Sequence, residues 1–225
     1  MHVELIQYTP DPERVVAAAA RLCYSADPVP ELWERLDDEK VSQFVSKLKD
    51  MGHLSVFEHV SFQFSIDGIS RATSHQLVRH RIASYSQRSQ RYVKEAQFEY
   101  VVPPSIANHP EAKELFIETM NRLQKDYETL SQWVKAEDAR YVLPNACTTS
   151  LMATFNARSL LNFFEHRTCL RAQWEIRQVA LAMLEKVREV APNVFASAGP
   201  TCETQGVCHE GSYSCGRIKS LQKKG

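Results

Sequence analysis

Glycine is almost missing from the body of this chain. Seven glycines occur among 225 residues, and five of them (Gly199, Gly206, Gly211, Gly216 and Gly225) fall in the last 27. Gly52 and Gly68 alone precede them. Loops that wrap a phosphate with backbone amides need several glycines within a few residues, because a side chain would keep the anion away from the main chain. A dinucleotide-binding fingerprint and a P-loop are therefore excluded. If this chain binds a nucleotide, side chains must meet the phosphates, chiefly arginines.

The rest of the composition describes an ordinary globular chain. Hydrophobic residues make up 44% and charged residues 24%, and a chain of this length buries roughly 70% of its unfolded surface. One domain is expected over residues 1–198, with residues 199–225 a tail of the same unit that shifts to Gly, Cys, Ser and Lys and reads as peripheral. Lys plus Arg (27) balances Asp plus Glu (27), so no global field holds nucleic acid or membrane, and neither is expected as a partner. No apolar run approaches the ~20 residues of a spanning helix, and the first residues carry no export pattern, which makes the cytoplasm the expected compartment. Cys23, Cys147 and Cys169 are scattered and read as small core residues. Cys202, Cys208 and Cys215 with His209 compose a Cys3His set, but their five- and six-residue gaps are not the short knuckles of zinc sites. Free thiols are expected there, and no metal.

Hydrophobic periodicity gives an α+β fold, long helices with a few strands. Strands are expected at residues 3–8, 56–66, 98–102 and 150–155. Helices are expected through the alanines 17–20, around Val41, Phe44, Val45 and Leu48 with a stop at Gly52, over 69–81, from Pro110 along Leu115, Phe116, Met120, Leu123, Tyr127, Leu130 and Trp133 or Val134, and from Ser159 to Val190 before Pro192. Between residues 81 and 98 the sequence reads as a polar loop.

Charge is concentrated locally. Arg71, Arg79, Arg81, Arg88, Arg91 and Lys94, with His75 and His80, lie between Gly68 and Lys94 without one acidic residue. A charge run is usually a solvated face. Here it is interleaved with Ser84, Ser86, Ser89, Gln87, Gln90, Tyr85 and Tyr92, which donate well to phosphates and to ring edges, so an anionic ligand is the better reading. A second concentration runs from Asn156 through Arg158 to Asn162, His166 and Arg167, at a strand-to-helix junction where free amides and the helix dipole favour anions. Singly, such a cation is often a snorkelling residue at the edge of a core.

Arg79-His80-Arg81, followed after seven residues by Ser89-Gln90-Arg91, resembles the signature of the flavin-dependent thymidylate synthases. The resemblance extends to Gly52-His53 and Glu58-His59, to Glu137–Pro144 and to Asn156–Arg167 with Gln173–Ile176. It implies an α+β homotetramer with a small, mainly antiparallel sheet and active sites at subunit interfaces. The implied reaction methylates dUMP to dTMP, with methylenetetrahydrofolate giving the carbon and NADPH, through FAD, the hydride. It also implies that Arg79, His80, Arg81, Ser55, Gln87, Asn156, Arg158 and Asn162 hold FAD, and that His53 lines the folate and flavin pocket. Gln76, Arg79, Gln87, Arg88, Ser89, Arg91, Arg140 and Arg167 would surround dUMP. Many members carry Glu where this chain has Gln87, whose amide can still bond.

Within that frame Arg167 is the candidate for polarising the uracil, stabilising negative charge as it develops at N3 and O2. Ser89 is a binding and polarising hydroxyl, since no base stands near it in sequence to make it a nucleophile. No cysteine falls in the matched motifs, against the class of thymidylate synthase that attacks C6 with a thiolate. Three rivals stay open on the residues alone. An RNA-binding module, a simple flavin reductase and a structural protein are told apart by salt-steep polynucleotide binding, by a chromophore indifferent to dUMP, and by neither.

Overall fold

The computed structural model describes residues 1–93 and 97–222; Lys94 and Gly225, counted above, lie outside the described residues. Strand β1 (His2–Tyr8) leads to helices α1 (Pro12–Leu22), α2 (Val29–Glu34) and α3 (Asp38–Asp50), a 3-10 turn over Leu54–His59, and strand β2 (Ser61–Ser70). Helix α4 (Arg71–Leu77), strand β3 (Ser84–Gln87) and helices α5 (Pro104–Ala107), α6 (Pro110–Trp133) and α7 (Ala136–Ala139) follow. Strand β4 (Thr148–Asn156) runs straight into α8 (Ala157–Arg167), and then come α9 (Trp174–Val190), α10 (Pro192–Phe195), α11 (Thr201–Thr204) and α12 (Arg217–Gln222).

The four strands form one sheet in the order β1-β2-β4-β3. Its central pairing is antiparallel: Arg71 N donates to Cys147 O at 3.0 Å while, at the other end, Ala157 N donates to Val60 O at 3.0 Å. The chain divides into two compact units. The first holds Met1–His2, Ile66–Arg79 and Tyr85–Met152, the second Val3–Ser65, His80–Ser84 and Ala153–Gly225. In the first, Phe98, Met120 and Cys147 are buried together against Tyr100, Phe116 and Leu123. In the second, an aromatic ladder joins sheet to helix: Phe62 meets Phe195 at 5.4 Å, Phe195 meets Phe164 at 5.8 Å, and Phe163 meets Phe164 at 5.7 Å and Phe155 at 5.6 Å between ring centroids.

Several expected elements change. The expected strand over 56–66 begins at Ser61, because Val56, Phe57 and Val60 are the buried residues before it and Glu58 is exposed, a helical spacing and not an alternation. From 61 on the alternation is kept, with Phe62, Phe64 and Ile66 fully buried. The helix expected over 69–81 is confined to Arg71–Leu77, since Ile69 and Ser70 belong to β2 and the Ser70 hydroxyl caps the helix by accepting from Thr73 N at 3.1 Å. Arg79, His80 and Arg81 consequently stand in the connection after α4. The polar loop contains β3. Among the described residues, 98–102 offers only a bridge from Tyr100 to Cys147. On α6 the apolar stripe is only partly covered, for Leu115 and Trp133 are exposed. The helix expected over 159–190 is two helices, broken after Arg167.

Candidate active site

Helix α8 carries four of the candidate residues, counting the Asn156 that caps it. Asn156 Oδ1 accepts from Ser159 N at 2.8 Å, so one amide of the helix start is already satisfied, and Ala157 N is satisfied by Val60 O. Leu160, Phe163 and Phe164 form the buried face. That periodicity leaves Asn162 exposed and brings Arg167, the last residue of the helix, to a half-buried position.

The Arg167 guanidinium donates from Nε to His80 Nε2 at 3.0 Å. An imidazole that accepts there carries its proton on Nδ1 and is neutral. The edge-on contact of its ring with Phe163, 4.8 Å between centroids, takes it out of water. That burial first, then the neighbouring Arg167 and His166, pushes His80 down to about 4. Burial also pulls Arg167 below the ordinary guanidinium value, yet it remains charged at neutral pH. His80, Asn162, His166 and Arg167 line one side of a cavity of about 530 Å³. Its other wall contains Thr201, Cys202, Cys208 and His209, so the tail, expected at the periphery, closes over the Arg167 end of the helix. Nothing in the apolar periodicity pointed to this, although the clustering of Cys and His after residue 200 was visible.

At the other end of α8, Arg158 is exposed and pairs with Glu58 at 2.5 Å. It borders a second cavity, of about 380 Å³, with His53, Ser55, Cys23 and Tyr24. Cys23, read as a core residue, is exposed.

The remaining candidates, apart from Arg81, belong to the first unit. Gln87, half-buried on β3, donates through Nε2 to Ser74 Oγ at 3.0 Å and to Thr149 Oγ1 at 3.2 Å. Its amide hydrogens therefore tie β3 to α4 and β4, a double donation that a carboxylate could not make. Arg88 donates to Ser150 Oγ at 3.0 Å, and its carbonyl accepts from Arg71 at 2.9 Å. Ser89 Oγ accepts from Arg91 N at 3.2 Å, and among the described residues no His or carboxylate bonds its hydroxyl. Arg91 reaches Glu137 at 3.2 Å, and Arg140 Nε donates to the Glu137 carbonyl at 3.0 Å. The acid-free run is thus given an acid from elsewhere in the chain. Gln76 is half-buried, with Nε2 on Ala72 O at 3.4 Å. Arg79 and Arg81 are exposed, and among the described residues their guanidinium groups make no hydrogen bond or ion pair. Arg71, His75, Gln90, Tyr141 and Asn145 share a smaller cavity with Arg140; Tyr141 and Asn145 had no role expected of them.

Residues 4–193 match the family described as thymidylate synthase complementing protein. The chain belongs to the flavin-dependent thymidylate synthases. It is similar to the flavin-dependent thymidylate synthase of Clostridium tetani, 49% identical over 98% of this chain and 95% of the relative, and to that of Geobacter sulfurreducens, 50% identical over 99% and 97%. A crystal structure of the Helicobacter pylori flavin-dependent thymidylate synthase, complexed with FAD and dUMP, superimposes with a TM-score of 0.73 at 26% identity, covering 88% of this chain and all of that one. The α+β fold with its small antiparallel sheet is the fold of that synthase. Among the described residues of this flavin-dependent thymidylate synthase, no three His, Cys, Asp or Glu side chains converge as metal ligands. Burial, with the nearby Glu203, pushes the Cys202 thiol up rather than down, which makes it less of a thiolate.

Proposed function

We propose that this chain converts dUMP to dTMP, with methylenetetrahydrofolate as carbon donor and NADPH as reductant through FAD, and that Arg167 is its electrostatic centre. The observation that carries this reading is a charged, half-buried guanidinium whose Nε rests on a neutral imidazole while it lines a cavity. A cation held in a poorly solvated pocket stabilises charge developing on a bound ring far better than the same cation in water. Here that charge is the negative charge at N3 and O2 of the uracil. Ser89 assists as a donor: its oxygen already accepts from Arg91 N, and the proton of its own hydroxyl is what it offers to substrate.

The donor set suits FAD. Arg79 and Arg81 bring two exposed guanidinium forks for a diphosphate, and Asn156 and Asn162 bring amides. His53, Ser55 and Arg158 line one cavity, His80 stands by the other, and Gln87 contributes its carbonyl oxygen, its NH2 being engaged. Arg158 joins them by sharing or leaving Glu58. When bound, FAD supplies the hydride transfer that no side chain here can perform. Gln76, Arg79, Gln87, Arg88, Ser89, Arg91, Arg140 and Arg167 hold dUMP, Arg167 at the uracil and the other arginines at its phosphate. Their pairs with Ser150 and Glu137 keep Arg88 and Arg91 in place before substrate arrives.

Self-association as a homotetramer with interfacial sites fits the exposed apolar side chains Ile82, Tyr92, Trp133 and Tyr141, each over 70% exposed. Residues 1–198 form the synthase domain with 199–225 as its tail. Among the described residues no helix is long and apolar enough to cross a membrane, and cytoplasmic residence suits soluble nucleotide substrates.

The test is anaerobic bleaching of the bound flavin by NADPH, with and without dUMP. Marked acceleration by dUMP, followed by dTMP formation once methylenetetrahydrofolate is added, is the expected outcome. A protein that binds no flavin even with FAD supplied would defeat the reading and send the arginine run to be tested against RNA.

A further inference from the structure

Among the described residues, His80 and Arg167 are the one pair of candidate residues joined side chain to side chain. The bond is of a particular kind. A long arginine side chain carries about 2 kcal/mol of rotamer entropy, and a site that needs a guanidinium in one orientation must hold it. A carboxylate would hold it but cancel its charge, as Glu58 does for Arg158. A neutral imidazole holds it and adds no negative charge. Phe163 fixes the imidazole in turn, and Phe163 is itself fully buried between Phe155 and Phe164. Orientation is thus relayed from the aromatic core through one ring to the guanidinium.

We propose that His80 is a positioning residue for the reaction: its Nε2 accepts a hydrogen bond from the Arg167 Nε–H and thereby aims the two terminal nitrogens of that guanidinium at the uracil without neutralising it. This rests on the function proposed above and goes beyond the place of His80 beside the flavin. Without His80, Arg167 stays charged but loses its aim. The dUMP phosphate, held by other arginines, binds nearly as before, so the loss falls on kcat and not on KM.

The test is a double-mutant cycle on the FAD-saturated holoenzyme, with dTMP formation counted per bound flavin. His80→Phe keeps a ring on Phe163 and removes the acceptor, and is expected to lower kcat about 10- to 100-fold with KM for dUMP changed less than about threefold. In the Arg167→Ala background the same substitution should cost less than about twofold, because the pair acts as a unit. His80→Gln, whose amide oxygen can accept from Nε, should recover most of the lost turnover. Effects that multiply across the cycle, or a His80→Gln enzyme as slow as His80→Phe, overturn the proposal. So does flavin loss at saturating FAD common to both variants, which would make His80 a cofactor ligand alone. The bond also has a readout independent of turnover. The Arg167 Nε–H resonance, assigned by its disappearance in Arg167→Lys, should exchange slowly with water in the wild type and rapidly in His80→Phe. Equal exchange in both overturns the proposal even if the protein makes dTMP, whereas slow exchange in a protein that makes no dTMP leaves the bond standing and faults the proposed function.

Discussion

The two ends of α8 each present an arginine, and they are treated in opposite ways. Arg158, at the start, is exposed and closed against the carboxylate of Glu58; Arg167, at the end, is half-buried and closed against a neutral ring. Exposed ion pairs contribute about 0–1 kcal/mol and give way readily to a competing anion. Arg158 is therefore suited to binding, where a partner can be exchanged. A guanidinium on an uncharged acceptor keeps its whole charge for whatever enters the cavity. Arg167 is suited to chemistry for that reason. The partner of a cation, and not its exposure alone, sets how much of its charge is left for a ligand.

The contrast can be broken most severely from beneath. Phe163→Ala removes a fully buried ring that supports His80, and such a truncation should cost about 3–5 kcal/mol. Thermal unfolding should show a midpoint lower by roughly 10 °C, and a loss below about 1 kcal/mol would mean that the aromatic ladder does not brace this end. Arg167→Ala should come next, lowering kcat by roughly 100- to 1,000-fold, about 3–4 kcal/mol, with flavin retained. Arg158→Ala should instead weaken flavin binding while turnover at saturating FAD stays within about tenfold. Equal behaviour of the two variants would erase the distinction.

Acidification sharpens it more gently. His80 falls to about 4 in the folded protein from an ordinary 6.5, so the unfolded chain binds the extra proton between those values. The stability due to neutral His80 is complete above pH 6.5 and is lost as pH falls from 6.5 through about 4. Denaturant melts of the wild type should therefore lose more stability over that window than those of His80→Gln; parallel curves would remove the imidazole from the account. The smallest effect belongs to the exposed pair. Glu58→Gln should change stability by less than about 1 kcal/mol and tighten flavin binding a few-fold in low salt, and a weakened flavin would show that Glu58 orients Arg158 rather than competing for it.

Much of this was legible in the sequence, and the parts that were not share a physical cause. Phe62, Phe64 and Ile66 alternate because a strand buried on one face permits nothing else, so β2 was visible from Ser61 on, while the adjacent Val56 and Phe57 belonged to a turn. The break after Arg167 was invisible because neither Pro nor Gly makes it. Thr168 bonds its hydroxyl back to Phe164 O at 2.6 Å, and Gln173, an unusual cap, starts α9 by accepting from Glu175 N and Ile176 N. The arginines and serines of the site were readable as residue types. Their partners were not, for Glu58 lies 100 residues from Arg158, Glu137 46 from Arg91, and His80 87 from Arg167. No local pattern encodes a pairing across such distances.

The strand order has a consequence for how the chain is made. None of the pairings in β1-β2-β4-β3 is a hairpin, and about 80 residues separate the end of β2 from the start of β4. At a synthesis rate of ~5–20 residues per second, β2 leaves the ribosome roughly 4–16 s before the strand that covers its second edge. During that interval Phe62, Phe64 and Ile66 sit on a strand open along one side, a template for pairing with a neighbouring nascent chain. The residues that close the edge are the ones that lead directly into α8, so relief from aggregation and synthesis of the helix that bears Arg167 arrive together, late in translation and ahead of the tail residues that wall its cavity.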